Sequence, residues 1–263
     1  MFAYITNKGD RDFVSLLGTG RGYPQLGVGN GEVQEFRNAY GKTDGDESPS
    51  EGSSLWRYWC GGGHPSEVRS SEFLPNRRQE YIDFVEGGVS QLRRPILFKN
   101  AWNTFRIASL ADAMPQSAFL WIRRDIRLAA LSDYAARLHR GGPSVWNSAS
   151  PRNLAALKRL PPYEQVVEQQ YEFARATQDA FRQLDSRFTL DIWYDDILSE
   201  PAEALGRLER WLRGLGFTRK SLAPFSRSLI RRKSYEIGPL RGVERAIAGY
   251  VLSNHRLSSL CRN

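Results

Sequence analysis

Cysteine and histidine are scarce in this chain, and their scarcity removes most metal and disulfide chemistry. Cys60 and Cys261 stand far apart and offer no paired spacing for a zinc or iron–sulfur site, which leaves a buried or an exposed free thiol as the reading. His64, His139 and His255 are no better spaced for a metal. Nothing approaches the run of roughly 18 apolar residues that a membrane helix needs. The opening MFAYITNKGDRDF carries charges where a signal peptide keeps its apolar region, so a cytoplasmic protein without a membrane span is expected. There is no internal repeat. A Walker-type phosphate loop is also wanting. The string GKT at 41–43 would need a glycine at the position of Phe36, and LLGTGRG at 16–22 runs into YPQLG where a helix would have to begin.

What is present is ordinary globular material with a basic surplus. Apolar residues make up 41% and charged residues 25%, which excludes wholesale disorder. The 263 residues suffice for one substantial α/β domain. A net charge of +8 attracts anions: nucleic acid, acidic membrane or a polyphosphorylated small molecule. Much of that charge is arginine, whose planar fork suits bidentate phosphate recognition better than lysine does.

Organisation improves along the chain. Residues 17–32 are glycine-rich and punctuated by proline, and 41–54 are polar and acidic; both read as loop. LWRYW at 55–59 is a tight aromatic cluster before a GGG turn. PILFK (95–99) predicts a buried strand, and the apolar run SAFLWI (117–122) and FTLDIWY (188–194) two further strands. Apolar spacing predicts helices over 103–114, 126–139 and 163–184, and 201–216 opens on Pro201 and closes on glycine, as helices do. Strands alternating with helices predict an α/β fold, a three-layer parallel sheet with helices on both faces. Ligands of such a sheet gather at the carboxyl ends of its strands. Those ends carry Lys99, Arg123, Arg124, Tyr194, Asp195 and Asp196.

WIRRDIRLAALSDYAAR (121–137) carries the most information. An arginine at a strand end and a serine eight residues on can converge on one phosphate, the guanidinium giving a charged fork and the hydroxyl a further bond. The following helix would add its free N-terminal amides and its dipole. The same residues also fit a solvated Arg-Arg-Asp turn in which Asp125 merely caps the helix.

FLWIRRDIRLAALSDY resembles the 3′-phosphate motif of the sulfotransferase superfamily, a strand followed by R-D-P-R-x-x-x-x-S, with Ile126 in place of the usual proline. Other matches stand in the same order. RPILFKNAWNTFRIASLADAMPQSAFLWIRRD is similar to the family's K-N-P-x-N strand and following helix, and LDIWYDDILSEPAEALGRLERWLRGLGF to its Y-E-D-L segment. FRNAYGKTDGDESPSEGSSLWRYW looks like the Y-G-K-T and E-P-x-E-x-x-x-x-W region of one bacterial branch. Together they span about residues 30–217.

The resemblance implies a P-loop NTPase-like sulfotransferase fold, one domain over 1–263 with acceptor-side loops and helices in 1–64, a nucleotide-binding core in 65–217 and a C-terminal helical, basic segment in 218–263. It implies 3′-phosphoadenosine-5′-phosphosulfate as co-substrate, no metal, and a hydroxyl acceptor that is a small molecule, carbohydrate or lipid. By the match, Arg124 and Ser132 hold the 3′-phosphate and Tyr194 lies near the adenine. The basic cluster at 231–233, with Arg232 and Lys233, closes over the phosphate or is simply a solvated face. Glu51 is the implied general base and Lys99 the cation that neutralises the sulfonate or the 5′-phosphate; a solvated loop carboxylate and a surface lysine are the plain alternatives. Trp56 and Trp59 suit either an acceptor surface or core packing.

The family's loop of type P-R-S-G-T/S-T, which grips the 5′-phosphosulfate, has no counterpart here, and FAYITN already resembles the segment that follows it. The expectation is a truncated gene model with Met1 an internal methionine, keeping the 3′-phosphate half of the site. The competing reading is a non-catalytic nucleic-acid-binding module, for which the sequence supplies no basic–aromatic repeat. A kinase-like enzyme lacks its Walker A. Oligomeric state leaves no trace in the sequence.

Overall fold

Short strands and amphipathic helices set the architecture seen in the computed structural model, which describes residues 2–17, 26–28, 43–61, 72–217 and 240–262; the strand expected to be buried at 95–99 is instead half-buried at Ile96 and exposed at Leu97. The chain divides into two units, Met1–Pro115 and Gln116–Asn263.

The first unit contains, in order, β1 (Ala3–Ile5), α1 (Asn7–Leu17), β2 (Leu26–Val28), α2 (Ser53–Cys60), α3 (Arg77–Leu92), β3 (Ile96–Leu97), a 3-10 turn at Ala101–Phe105 and α4 (Ile107–Ala113). β1 is central in a three-stranded sheet, antiparallel to β2 (Tyr4 opposite Gly27) and parallel to β3 (Tyr4 opposite Leu97). Its core is aromatic. Trp59 lies 5.4 Å from Trp56 and 5.2 Å from both Tyr81 and Phe84, ring centre to ring centre. Trp56 and Trp59 are 1% and 2% exposed, so core packing, not an acceptor surface, is their role. The loop expected over 17–32 contains β2, and the helix expected over 103–114 is a 3-10 turn followed by α4. Asn100 causes that division, because its side chain accepts from the Trp102 amide at 2.9 Å and caps the 3-10 turn.

The second unit contains β4 (Phe119–Arg123), α5 (Ile126–His139), α6 (Leu154–Leu157), α7 (Pro162–Gln183), a 3-10 turn at Ser186–Phe188, β5 (Thr189–Trp193), α8 (Tyr194–Ser199), α9 (Pro201–Gly214), α10 (Arg241–Ser253) and α11 (His255–Ser258). β4 and β5 pair in parallel, Phe119 opposite Thr189 through Arg123 opposite Trp193, which requires the long helical crossover between them. Ile126, Ala130, Val166, Val167, Ile247, Val251 and Leu257 form one buried core among α5, α7, α10 and α11. The fold is therefore mixed α/β. What the described residues show of the expected sheet is small, three strands in one unit and two in the other.

Candidate functional site

Two consecutive arginines end β4, and the structure treats them differently. Arg123 is consumed internally: Nη1 lies 3.2 Å from Asp191 Oδ2, and the guanidinium packs 4.8 Å from the Trp121 ring and 4.4 Å from that of Trp193. Arg124 is not. Its guanidinium lies 5.4 Å from the Tyr194 ring centre, and its Nε is buried without a hydrogen-bond acceptor among the described residues. A buried donor left unmatched costs free energy, and this sets Arg124 apart from Arg123. Tyr194 opens α8, and Arg124 already lies on its face. Ser132 is half-buried on α5. Counting from the cap Asp125, it lies 132 − 125 = 7 positions along, about two turns or ~10 Å up the same helix face.

The start of α5 corrects one expectation. Asp125 is the N-cap, its Oδ1 accepting from the Arg127 amide at 2.8 Å, while the Ile126 amide donates to the carbonyl of Leu260 at 3.2 Å. The first two helical amides, of Ile126 and Arg127, are therefore spent on the protein. Asp125 also accepts from Arg127 Nε (2.9 Å) and Nη2 (2.6 Å) and from the Arg262 amide (2.9 Å). Burial pushes its carboxyl up, but the bonds from Arg127 and Arg262 outweigh burial and hold it below the ordinary range. A lowered folded-state pKa contributes stability that is complete above the unfolded value of about 3.9 and is lost as pH falls through the folded value. Asp125→Asn should accordingly flatten the acid limb of stability below about pH 4; urea midpoints at stepped pH check this, and an unchanged acid limb would contradict it.

In the first unit the structure brings together the two residues expected to do chemistry. Lys99 Nζ donates to Glu51 Oε1 across 48 residues. The Lys99 side chain is 69% exposed and that of Glu51 33%, so the pair is open to solvent. The backbone around Glu51 is fixed from several sides. Ser50 donates its amide to Ile5 O (2.7 Å), Asn100 Nδ2 donates to Glu51 O (3.0 Å), and the Gly52 amide donates to Ser50 Oγ (3.1 Å). Gly52 has φ 66°, the left-handed region where a side chain would be strained. Asp10 Oδ1 then accepts the Ser54 amide at 2.8 Å, capping α2 from a distant part of the chain.

Sequence reasoning missed Asn100 as the residue that positions Glu51, and it missed Arg262 altogether; K-N next to a strand end was a signal for the first, and nothing local marked the second. Arg232 and Lys233 lie outside the described residues, as does His64. Among the described residues no group of three or more His, Cys, Asp or Glu is placed to hold a metal ion, and no helix is long and apolar enough to cross a membrane.

No curated protein and no solved structure matches the chain. A family model does: residues 49–219, well over half the sequence, match the Sulfotransferase family. That span holds Glu51, Lys99, Arg124, Ser132 and Tyr194. By this match the chain belongs to the sulfotransferase family.

Proposed function

We propose that the chain transfers a sulfuryl group from 3′-phosphoadenosine-5′-phosphosulfate to a hydroxyl of a small-molecule, carbohydrate or lipid acceptor in the cytoplasm. The observation that carries the nucleotide half is the buried, unspent Nε of Arg124 at the end of β4, against Tyr194 and preceding the helix that carries Ser132. In this reading Arg124 and Ser132 bind the 3′-phosphate and Tyr194 borders the adenine. The acceptor oxygen attacks sulfur, the bond from sulfur to the 5′-phosphate oxygen breaks, and 3′-phosphoadenosine-5′-phosphate departs. The hydroxyl proton passes to Glu51, and Lys99 offsets charge on the sulfonate or the leaving phosphate. Arg232 and Lys233 supply further positive charge for the 3′-phosphate.

The proposal treats 1–263 as one sulfotransferase-like domain built on a three-layer parallel sheet, with its acceptor side in 1–64 and its nucleotide core in 65–217. It assigns the 5′-phosphosulfate to no loop of the given sequence, since no P-R-S-G-T/S-T string occurs in it. A nucleic-acid partner is disfavoured, because the sequence supplies no basic–aromatic repeat to grip phosphates and stack on bases.

Calorimetric titration with 3′-phosphoadenosine-5′-phosphate tests the reading. Arg124→Ala should weaken binding by about thirtyfold or more, the worth of a desolvated charge pair. Ser132→Ala should weaken it by about three- to tenfold, the worth of one hydrogen bond. A folded parent chain that binds no nucleotide overturns the assignment.

A further inference from the structure

Asp10 belongs to α1, far in sequence from Glu51, yet its carboxylate reaches the backbone on both sides of that residue. Its Oδ2 accepts from Ser50 Oγ at 3.2 Å, just before Glu51. Its Oδ1 accepts the amides of Ser54 at 2.8 Å and Leu55 at 3.4 Å, just after it. Ser50 Oγ accepts the Gly52 amide in turn, at 3.1 Å. The same carboxylate therefore joins the two ends of the turn that presents Glu51. That turn passes through Gly52 in the left-handed region, and glycine is the residue with the most backbone freedom to lose. Ends left untied there would let Glu51 wander.

Asp10 is itself fixed. Its amide donates to the carbonyl of Thr6 at 2.9 Å, the Gly9 amide donates to Thr6 Oγ1 at 2.9 Å, and Thr6 is fully buried. The first turn of α1 also docks the segment that leads to Glu51. The amides of Asn7 and Lys8 donate to the carbonyls of Ser48 and Asp46, both at 2.9 Å, and Asn7 Nδ2 donates to Thr43 O at 2.8 Å and Gly45 O at 2.9 Å. Asn100 holds the Glu51 carbonyl from the strand-end side. All of these bonds fall on the backbone or on neighbouring residues, which leaves the Glu51 carboxylate to Lys99 and solvent.

We infer that Asp10 is a positioning residue for Glu51, holding it in place for proton transfer through the backbone of residues 50–54. This inference rests on the proposed reading of Glu51 as the general base, whose rate depends on reach: a misplacement of about 1 Å can cost roughly 10²-fold.

The test follows release of 3′-phosphoadenosine-5′-phosphate from the sulfated donor, with methyl glucoside and 1-octanol as hydroxyl probes. Asp10→Ala should lower kcat by about 10–100-fold and leave calorimetric binding of 3′-phosphoadenosine-5′-phosphate unchanged. Asp10→Asn, which keeps an acceptor for the Ser54 amide, should regain most of the loss. Arg11→Ala, which removes an exposed pair with Asp46 on the same helix, should turn over like the parent. In a Glu51→Gln chain, whose base is already gone, adding Asp10→Ala should cost less than about a further twofold. Should Asp10→Ala not fold by circular dichroism, Ser50→Ala decides by the same comparisons, with a loss of about threefold or more expected in the parent and none in Glu51→Gln. Parent-like kcat in the folded variant, or an undiminished loss in the Glu51→Gln chain, overturns the inference while the effect of Glu51→Gln itself still upholds the base. A Glu51→Gln chain that turns over like the parent, or a parent that releases no nucleotide, overturns both.

Discussion

Arg137→Ala should remove about 3–5 kcal/mol of stability, enough to leave much of the second unit unfolded when a whole domain holds only about 5–15 kcal/mol. Arg137 is fully buried. Its Nε donates to Asp133 Oδ2 (3.1 Å), Nη1 to Gln165 Oε1 (2.9 Å) and Nη2 to Gln169 Oε1 (2.8 Å), and it packs 4.6 Å from the Trp146 ring centre. The partners are satisfied in turn. Asn147 Nδ2 donates to Asp133 Oδ1 at 2.6 Å, and Gln169 Nε2 donates to the carbonyls of Asn147 and Ala149, both at 2.8 Å. Burial works against both charges, pushing the Asp133 carboxyl up and the Arg137 guanidinium down, each offset in part by the other. Truncating the arginine leaves Asp133 buried without its cation and two amides, Gln165 and Gln169, whose oxygens have lost their donor. The double variant Asp133→Leu/Arg137→Met, which strands no charge, should recover a large part of the loss. Urea unfolding followed by circular dichroism reads both; an Arg137→Ala chain as stable as the parent would mean the network is solvated in solution.

Glu51→Gln should lower the rate of sulfuryl transfer by about 10²–10⁴-fold, the range of a positioned general base, while barely touching stability. The separation follows from the geometry. The Lys99–Glu51 pair is solvent-exposed, and such pairs contribute only about 0–1 kcal/mol. The contacts that fix the segment, Asn100 Nδ2 to Glu51 O and Ser50 to Ile5, involve the Glu51 backbone or its neighbour and survive the substitution. Binding of 3′-phosphoadenosine-5′-phosphate should be unchanged. Turnover of Glu51→Gln at the parent rate, measured as nucleotide release from the sulfated donor, would place the base elsewhere.

The elements legible in the sequence are those whose ends are marked by side chains. Asp125 caps α5 as read, Pro162 and Pro201 open α7 and α9, and the apolar runs at β4 and β5 end where charge begins. α3 was not legible. It starts after Asn76 and stops at Arg93, both in the left-handed region at φ 64° and 49°, with no side-chain cap at its start. Gly87 and Gly88 within it are residues more usual in turns than in helix interiors. The structure shows why Gly88 is there: a Cβ would come within 2.9 Å of Ile96 Cδ1 and of Leu26 Cδ1, so the glycine lets the helix lie close on the sheet. The candidate site divides in the same way. Arg124 and Ser132 share one local motif, whereas Glu51 meets Lys99 and Arg262 meets Asp125 only through tertiary folding, which no local spacing announces.

The bond from Arg262 to Asp125 spans 137 residues, and that span sets an order of assembly. β4 and α5 can form soon after synthesis, since their contacts with each other are near in sequence. The Ile126 amide, however, waits for the Leu260 carbonyl, and Asp125 waits for the Arg262 amide. Closing so long a loop is the slow, late part of folding. Nascent chains arrested before residue 260 would then carry the arginine motif in full and still hold the helix start unfinished. The finished helix start would therefore date the docking of α11 onto the start of α5.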